Sequence, residues 1–304
     1  MAKCTRPLYA LDLGVKENGK RNIKILPRRV DLSSMKQLEA RYGKAAVLPL
    51  PCGTCLACRL NHAKEWAVRC VLEAMYYEEN YFVTLTYDDD HIPSDLMLHR
   101  GDFVDFMKRL RYHAKGKVRY FACGEYGTKN KRPHFHVILF GLKLDDLKPI
   151  GNGLYESKTM AKIWPYGYHY IGEVSYSSCN YVARYATKKV FNDQADEFIA
   201  MSSHPGLGYQ WLKDHIDTTF EYDSIYGNFG NSKAVKLPRY FDKIAESLDN
   251  AKFFEVKGKR LDKSTAFTFN ELINHAIDEV EKLYKYKEGV LMAQYANQRK
   301  GSRL

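Results

Sequence analysis

Two periods organise the apolar positions of this chain. From Asn61 to Glu79, residues Ala63, Trp66, Cys70, Ala74 and Tyr77 recur three or four apart, which predicts a helix with one buried face. The next run, YFVTLTY from Tyr81 to Tyr87, alternates: Val83, Leu85 and Tyr87 take one side and Phe82, Thr84 and Thr86 the other, which predicts a strand closed by Asp88–Asp90. Asp102 then opens a second helix through Phe103, Phe106, Met107 and Leu110, since an acidic residue suits a helix start. VRYFACGEYG reads as another strand. After the polar turn 128–133 comes HFHVILFG, whose apolar residues fall on both sides, as in a strand covered on both faces.

Elsewhere the pattern is weaker. Residues 1 to 50 read as irregular β structure, and the stretch from GNGLYES to WPYGYHYIGEV reads as a loop rich in Gly, Pro and aromatics. YVARYATKKV lies in a helix predicted from Asn180 to about Phe191. MSSHPGLGYQWL and YGNFGNSKAVKLPRYF read as loops and short elements. From Asn270 onward, Ile273, Ile277, Val280 and Tyr284 predict an amphipathic helix.

The two strands flanking the polar turn bring chemistry together. If that hairpin is symmetric about its turn, Glu125 lies across from His134 and Cys123 across from His136. Histidines at i and i+2 of a strand point the same way, so both imidazoles and the carboxylate can reach one divalent ion. Such mixed nitrogen and oxygen ligands suit Mg²⁺ or Mn²⁺ acting on a phosphate, with Zn²⁺ an alternative. A bare H-x-H also fits two solvated or core histidines.

Tyr181 and Tyr185 are four residues apart on one helix face, with Cβ atoms roughly 5–6 Å apart, and Lys188 and Lys189 continue that face a turn later. A phenol, with its ordinary pKa of about 10, is a poor nucleophile near neutrality unless a cation assists it. Two such tyrosines permit two successive transfers. Either could instead pack in a core.

Charge and cysteine content extend this picture. The chain has 304 residues, enough to bury a substantial core, and 47 basic against 36 acidic residues give +11, which favours a polyanionic partner such as nucleic acid. Its 23 tyrosines are compatible with stacking on exposed bases or with ordinary strand packing. No apolar run is long enough to span a membrane and no secretion signal is evident, so a soluble cytosolic protein is expected. Of the seven cysteines, Cys52, Cys55 and Cys58 are spaced too tightly for a disulfide framework and suit a structural zinc ion. Cys4 could supply a fourth ligand, with His62 and Cys70 as rivals. Ligation of an iron–sulfur cluster lacks its usual continuation after Cys58. Thr84, Thr86, Arg119, Lys129, Lys131 and Arg132 are candidates for phosphate contacts, each equally able to be solvated surface.

Taken in order, FVTLTYDDDHIP, CGEYG, RPHFHVILFG and YVARYATKK resemble the three motifs of HUH endonucleases. More closely, the chain is similar to the replication initiation proteins of small single-stranded DNA phages, the Microviridae and especially the gokushovirus-like group. PCGTCLACR and SSHPGLGYQWL share the likeness, which spans roughly residues 4 to 240.

That resemblance implies an α+β HUH fold: a central antiparallel sheet with the H-x-H strand in the middle, flanking helices and an RRM- or ferredoxin-like core. It implies a nuclease core over residues 79–192, a Cys-rich N-terminal extension over 1–78 and a C-terminal extension over 193–304. His134 and His136 would bind the ion with Glu125 as third ligand, Tyr181 and Tyr185 would be alternating nucleophiles, and Lys188 or Lys189 would steady the phosphate. Initiators of this kind nick the viral strand at an origin in the replicative form, stay joined to the 5′ end and release circles by a second cut and ligation. The host's helicase and polymerase are implied partners, and the host bacterium's cytoplasm the location. Competing expectations are a relaxase or transposase of plasmid or mobile DNA, and a non-catalytic, zinc-stabilised nucleic-acid-binding protein.

Overall fold

The computed structural model describes residues 4–16, 21–26, 37, 40–42, 47–114, 116–127, 131–188, 197–260 and 277–301. Its contacts group the chain into two compact units, Met1–Asn61 with Asn250–Leu304, and His62–Asp249.

The first unit holds a three-stranded sheet in which β1 (Leu8–Val15) pairs antiparallel with both β2 (Arg21–Ile25) and β3 (Val47–Leu50). Helix α1 (Leu56–Ala74) begins in this unit and runs on into the second. It starts five residues before the predicted Asn61 and ends before Glu79, so the cysteine motif runs into its first turn.

The second unit is built on a seven-stranded antiparallel sheet. Its strands are β4 (Asn80–Tyr87), β5 (Arg119–Tyr126), β6 (Pro133–Phe140), β7 (Leu147–Gly151), β8 (Leu154–Ser157), β9 (Gly167–Glu173) and β10 (Phe198–Met201). The spatial order is β10-β5-β6-β4-β9-β8-β7, which places the H-x-H strand β6 between β5 and β4. The class is α+β, as expected.

One face of the sheet carries Val83, Leu85, Tyr87, Ala122, Phe135, Val137, Leu139 and Ile171. Against it pack α2 (Arg100–His113), through Phe103, Phe106, Met107 and Leu110, and α3 (Lys158–Ile163), through Met160 and Ile163. Trp164 and Phe106 are completely buried there, each contributing about 2–3 kcal/mol of apolar transfer energy. The short α3 is held by its start: the Ser157 hydroxyl accepts from the Met160 amide and donates to Asp146, which also accepts from the Thr159 amide.

The opposite face is covered over β10, β5 and β6 by α1 and by α4 (Tyr176–Lys188), with Ala63, Ala67, Cys70, Cys179, Val182 and Ala183 packed on Phe121, Cys123, Ile138 and Phe140. α4 begins before the predicted Asn180. Beyond the sheet come α5 (Tyr209–Tyr222), the hairpin β11 (Ile225–Phe229) with β12 (Ser232–Val235), and α6 (Arg239–Leu248). Residues 250–260 are helical and form α7, and α8 (Ile277–Gly301) follows.

Two expectations change. The stretch expected as a loop before α4 contains the hairpin β7–β8, helix α3 and strand β9, which pairs with β4 along its whole length. The approach there is close: at Gly167, whose φ is +145°, a Cβ would collide with the Thr86 carbonyl and the Asp88 amide. MSSHPGLGYQWL, expected as loop and short elements, is an ordered part of the second unit, with Arg69 donating to the Leu207 carbonyl and Glu73 accepting from the Gly208 amide. Just before it, and beyond residue 192, β10 pairs with β5 and completes the sheet edge, so the compact second unit runs on past the expected nuclease core.

Candidate active site

The β5–β6 hairpin has the register that a symmetric turn predicts, Glu125 opposite His134 and Cys123 opposite His136. Opposed residues of an antiparallel pair share a face, so three ligand groups converge. Nε2 of His134 lies 3.2 Å and Nε2 of His136 3.0 Å from the same oxygen, Oε1 of Glu125. One ligand atom from each residue falls within 4.8 Å of the others. Glu125 and His136 are buried and His134 is partly open.

The remote ring nitrogens are engaged. Nδ1 of His134 is 3.1 Å from the Arg132 carbonyl, and Nδ1 of His136 is 3.0 Å from the Thr84 hydroxyl. A carbonyl only accepts, so His134 Nδ1 carries a hydrogen and the neutral ring presents a lone pair at Nε2. That lone pair faces a carboxylate oxygen, a second acceptor. Only a cation, a proton or a metal ion, relieves such an arrangement, and outer hydrogen bonds of this kind are those that orient metal-binding imidazoles.

Helix α4 sets Tyr181 and Tyr185 against this cluster. Their ring centroids are 5.1 Å apart, and the His136 ring lies 5.1 Å from Tyr181 and 5.9 Å from Tyr185. The Tyr185 hydroxyl donates to the Tyr181 oxygen at 2.9 Å. The two are unequal. Tyr181 is 40% exposed, while Tyr185 is only partly open and packs with the helix core. Burial pushes the Tyr181 phenol up, the bond it accepts from Tyr185 pulls it down, and the charge of Glu125 adds to the rise. Tyr185 is pushed up much further by burial and then by Glu125. Lys188 is the last described residue of α4; its side chain, and Lys189 and Lys129 entirely, lie outside the described residues.

The other sequence candidates divide. Thr84 faces His136, and Thr86 is half-buried on the same face. Lys131 is exposed, whereas Arg132 is ion-paired with Asp89. Arg119 is corrected: it is 4% exposed, paired with the Glu73 carboxylate at 2.5 Å and donating to the Pro205 carbonyl at 2.7 Å. A guanidinium so committed to the interior is withdrawn from phosphate. For the cysteine motif, Cys4 joins Cys52, Cys55 and Cys58, while Cys70 is buried beside Cys179 and His62 lies against Trp66.

Sequence reasoning missed two residues. Tyr168 opposes Thr86, and Tyr170 opposes Thr84. One row of the face therefore runs Glu125, His134, Thr86, Tyr168, and the next Cys123, His136, Thr84, Tyr170. At a strand spacing of about 4.8 Å, these tyrosines stand about 10 Å from the histidines. They are 59% and 38% exposed, beyond the half of the face that α1 and α4 cover. The signal was present in alternation, since His169 and Ile171 between and after them are buried.

Comparison with known proteins agrees with this geometry. A family described as replication-associated proteins of the ORF2 type matches residues 80–190, the stretch from β4 to the end of α4. The chain is 33% identical over 245 residues to the replication-associated protein ORF2 of Spiroplasma virus 4, covering 72% of this chain and 75% of that one. It is 33% identical over 262 residues to the replication-associated protein VP4 of Bdellovibrio phage phiMH2K, covering 80% of this chain and 82% of the relative. A further likeness, 38% over 154 residues, is to the replication-associated protein ORF4 of Chlamydia phage 1, with 46% of this chain and 38% of the other covered. No solved structure matches. Among the described residues, no helix is long and apolar enough to cross a membrane.

Proposed function

Since the chain belongs to the family of phage replication-associated proteins of the HUH rolling-circle type, we propose that it is a metal-dependent endonuclease and strand transferase that starts replication by cutting one DNA strand. The observation that carries this reading is the packing of two tyrosines on His136, itself one of three converging ligands. The sheet with α2 on one face and α4 on the other is read as the HUH core, and residues 79–192 supply its site.

Glu125, His134 and His136 would hold the ion, and their nitrogen and oxygen donors suit Mg²⁺ or Mn²⁺. When bound, such a cation withdraws electron density from phosphorus through a non-bridging oxygen. Tyr181 is the first nucleophile in this reading, because it is the more exposed and its oxygen accepts a hydrogen bond from Tyr185 that stabilises a phenolate. Its oxygen forms the bond to phosphorus and the bond from phosphorus to O3′ breaks. The phenol gives up one proton to solvent and the departing 3′ oxygen takes one up. The products are a free 3′-hydroxyl and a 5′-phosphotyrosine, so the energy of the diester is kept for rejoining. Tyr185 repeats the step after one round of synthesis, and the newly freed 3′-hydroxyl attacks the Tyr181 link to close a circle.

Tyr168 and Tyr170 offer rings on which unpaired bases stack as the strand crosses β9 and β4 toward the histidines. Thr86, Lys129, Lys131, Lys188 and Lys189 are assigned to the phosphates. The host's helicase and polymerase would extend the free 3′ end in the bacterial cytoplasm.

The test uses single-stranded oligonucleotides tiled across the genome that encodes the chain, with Mg²⁺ or Mn²⁺, and scores protein–DNA adducts that survive denaturant. One oligonucleotide should give an adduct, kept by Tyr185→Phe and lost by at least about 10³-fold in Tyr181→Phe. Binding without any adduct would favour a non-catalytic DNA-binding protein, and an adduct that persists in the double variant or in His134→Ala would exclude this site.

A further inference from the structure

The four cysteines outside the nuclease site converge from distant positions. Cys4 precedes β1, Cys52 and Cys55 bracket a tight turn, and Cys58 lies in the first turn of α1. The Cys4 and Cys55 sulfurs are 3.8 Å apart and those of Cys52 and Cys58 4.0 Å, with one sulfur from each of the four within 4.8 Å of the rest. No cysteine of the chain forms a disulfide. A zinc ion with four sulfurs at about 2.3 Å in a tetrahedron sets them about 3.8 Å apart, the separation found here.

The local backbone favours charge on sulfur. Gly53, at φ +76°, folds the CGTC turn so that the Cys55 amide donates to the Cys52 sulfur at 3.3 Å, assisted by the Thr54 hydroxyl at 3.6 Å. The Cys52 amide in turn donates to the Cys4 sulfur at 3.4 Å. Hydrogen bonds from Thr5 and the Cys58 amide outweigh burial and bring the Cys55 thiol down to about 6. Donors aimed at sulfur are wasted on neutral thiols and support thiolates.

We propose that Cys4, Cys52, Cys55 and Cys58 form a tetrathiolate zinc centre that joins the chain start, the first turn of α1 and the C-terminal helix α8. Leu291 of α8 packs on the cluster, and Glu288 one turn earlier is ion-paired with Arg6 at 3.2 Å. Binding releases the thiol protons to solvent and leaves a closed four-coordinate site with no position for substrate. A four-iron cluster keeps its cysteine sulfurs on separate irons and farther apart than these, so a single ion fits better.

Elemental analysis of the full chain purified without chelator tests this. About one zinc per chain is expected, retained in a His134→Ala/His136→Ala variant, and cobalt in its place should show the intense visible bands of four thiolate ligands. Cys4→Ser should lose zinc to EDTA at least about tenfold faster. Should that variant fail to fold, an organomercurial titration of the unaltered chain should release zinc in step with thiol blocking. Absence of zinc, iron in its place, zinc that leaves with the histidines, or zinc indifferent to the mercurial would each overturn the proposal.

Discussion

The two clusters of ligand groups in this chain contrast in assembly and in openness. Glu125, His134 and His136 come from one hairpin, nine to eleven residues apart, and are held by strand register alone. The four cysteines come from both ends of a 54-residue span and need the first sheet, the CGTC turn and a helix start to meet. Three ligands beside exposed tyrosines leave positions for a substrate; four sulfurs under Leu291 leave none. The difference teaches that the same ion-binding chemistry is spent on reactivity where the strand ends open and on cohesion where the chain would otherwise part.

The sharpest way to break this contrast is His136→Ala. Adduct formation should fall at least about 10³-fold while the zinc content and the thermal midpoint stay, read by denaturing gel, elemental analysis and circular dichroism. Parallel loss of fold would mean that the hairpin cluster is cohesive too. Next in size is Arg119→Met, which strands the buried Glu73 carboxylate. A loss of about 3–5 kcal/mol, and a fall of about 10 °C in the melting midpoint, is expected with zinc retained.

Smaller effects sharpen the site itself. Thr84→Val removes the partner of His136 Nδ1 and should weaken Mn²⁺ binding about 10–100-fold by titration, with the fold unchanged. Tyr168→Ala and Tyr170→Ala should each cost about 1–3 kcal/mol in affinity for single-stranded DNA, measured by fluorescence anisotropy, and leave duplex binding unaltered. An equal loss on duplex would remove them from the stacking role.

The smallest concerns pH. His169 is held below its ordinary value of 6.5 by burial, and its Nε2 accepts from the Ser157 amide. A depressed value in the folded state means stability that is present above about pH 6.5 and lost as pH falls, because the unfolded chain takes up the proton first. His169→Gln should flatten the decline of the melting midpoint between about pH 6.5 and pH 5. A slope identical to that of the unaltered chain would assign the acid loss elsewhere.

Much of the site is legible in sequence because its rules are local. Strand alternation and a symmetric turn are enough to set Glu125 against His134, and helical spacing is enough to put Tyr181 beside Tyr185. β9 was illegible because tyrosines on its open side and His169 and Ile171 on its buried side give no polar alternation to read, and its bounding glycines resemble loop. Arg119 misled for another reason: a charged residue reads as surface unless its buried partner, here Glu73 forty-six residues earlier, is known.

By itself, then, the sequence determined the elements of short period, the ligand hairpin, the paired tyrosines and the family likeness. Tertiary structure alone decided that β9 and β10 join the sheet, that the SSHPGLGY segment is pinned by Arg69 and Glu73, and that Cys4 rather than Cys70 or His62 meets the other cysteines. Periodicity and turn symmetry act over a few residues, whereas strand order, ion burial and ligand convergence depend on which distant segments pack together.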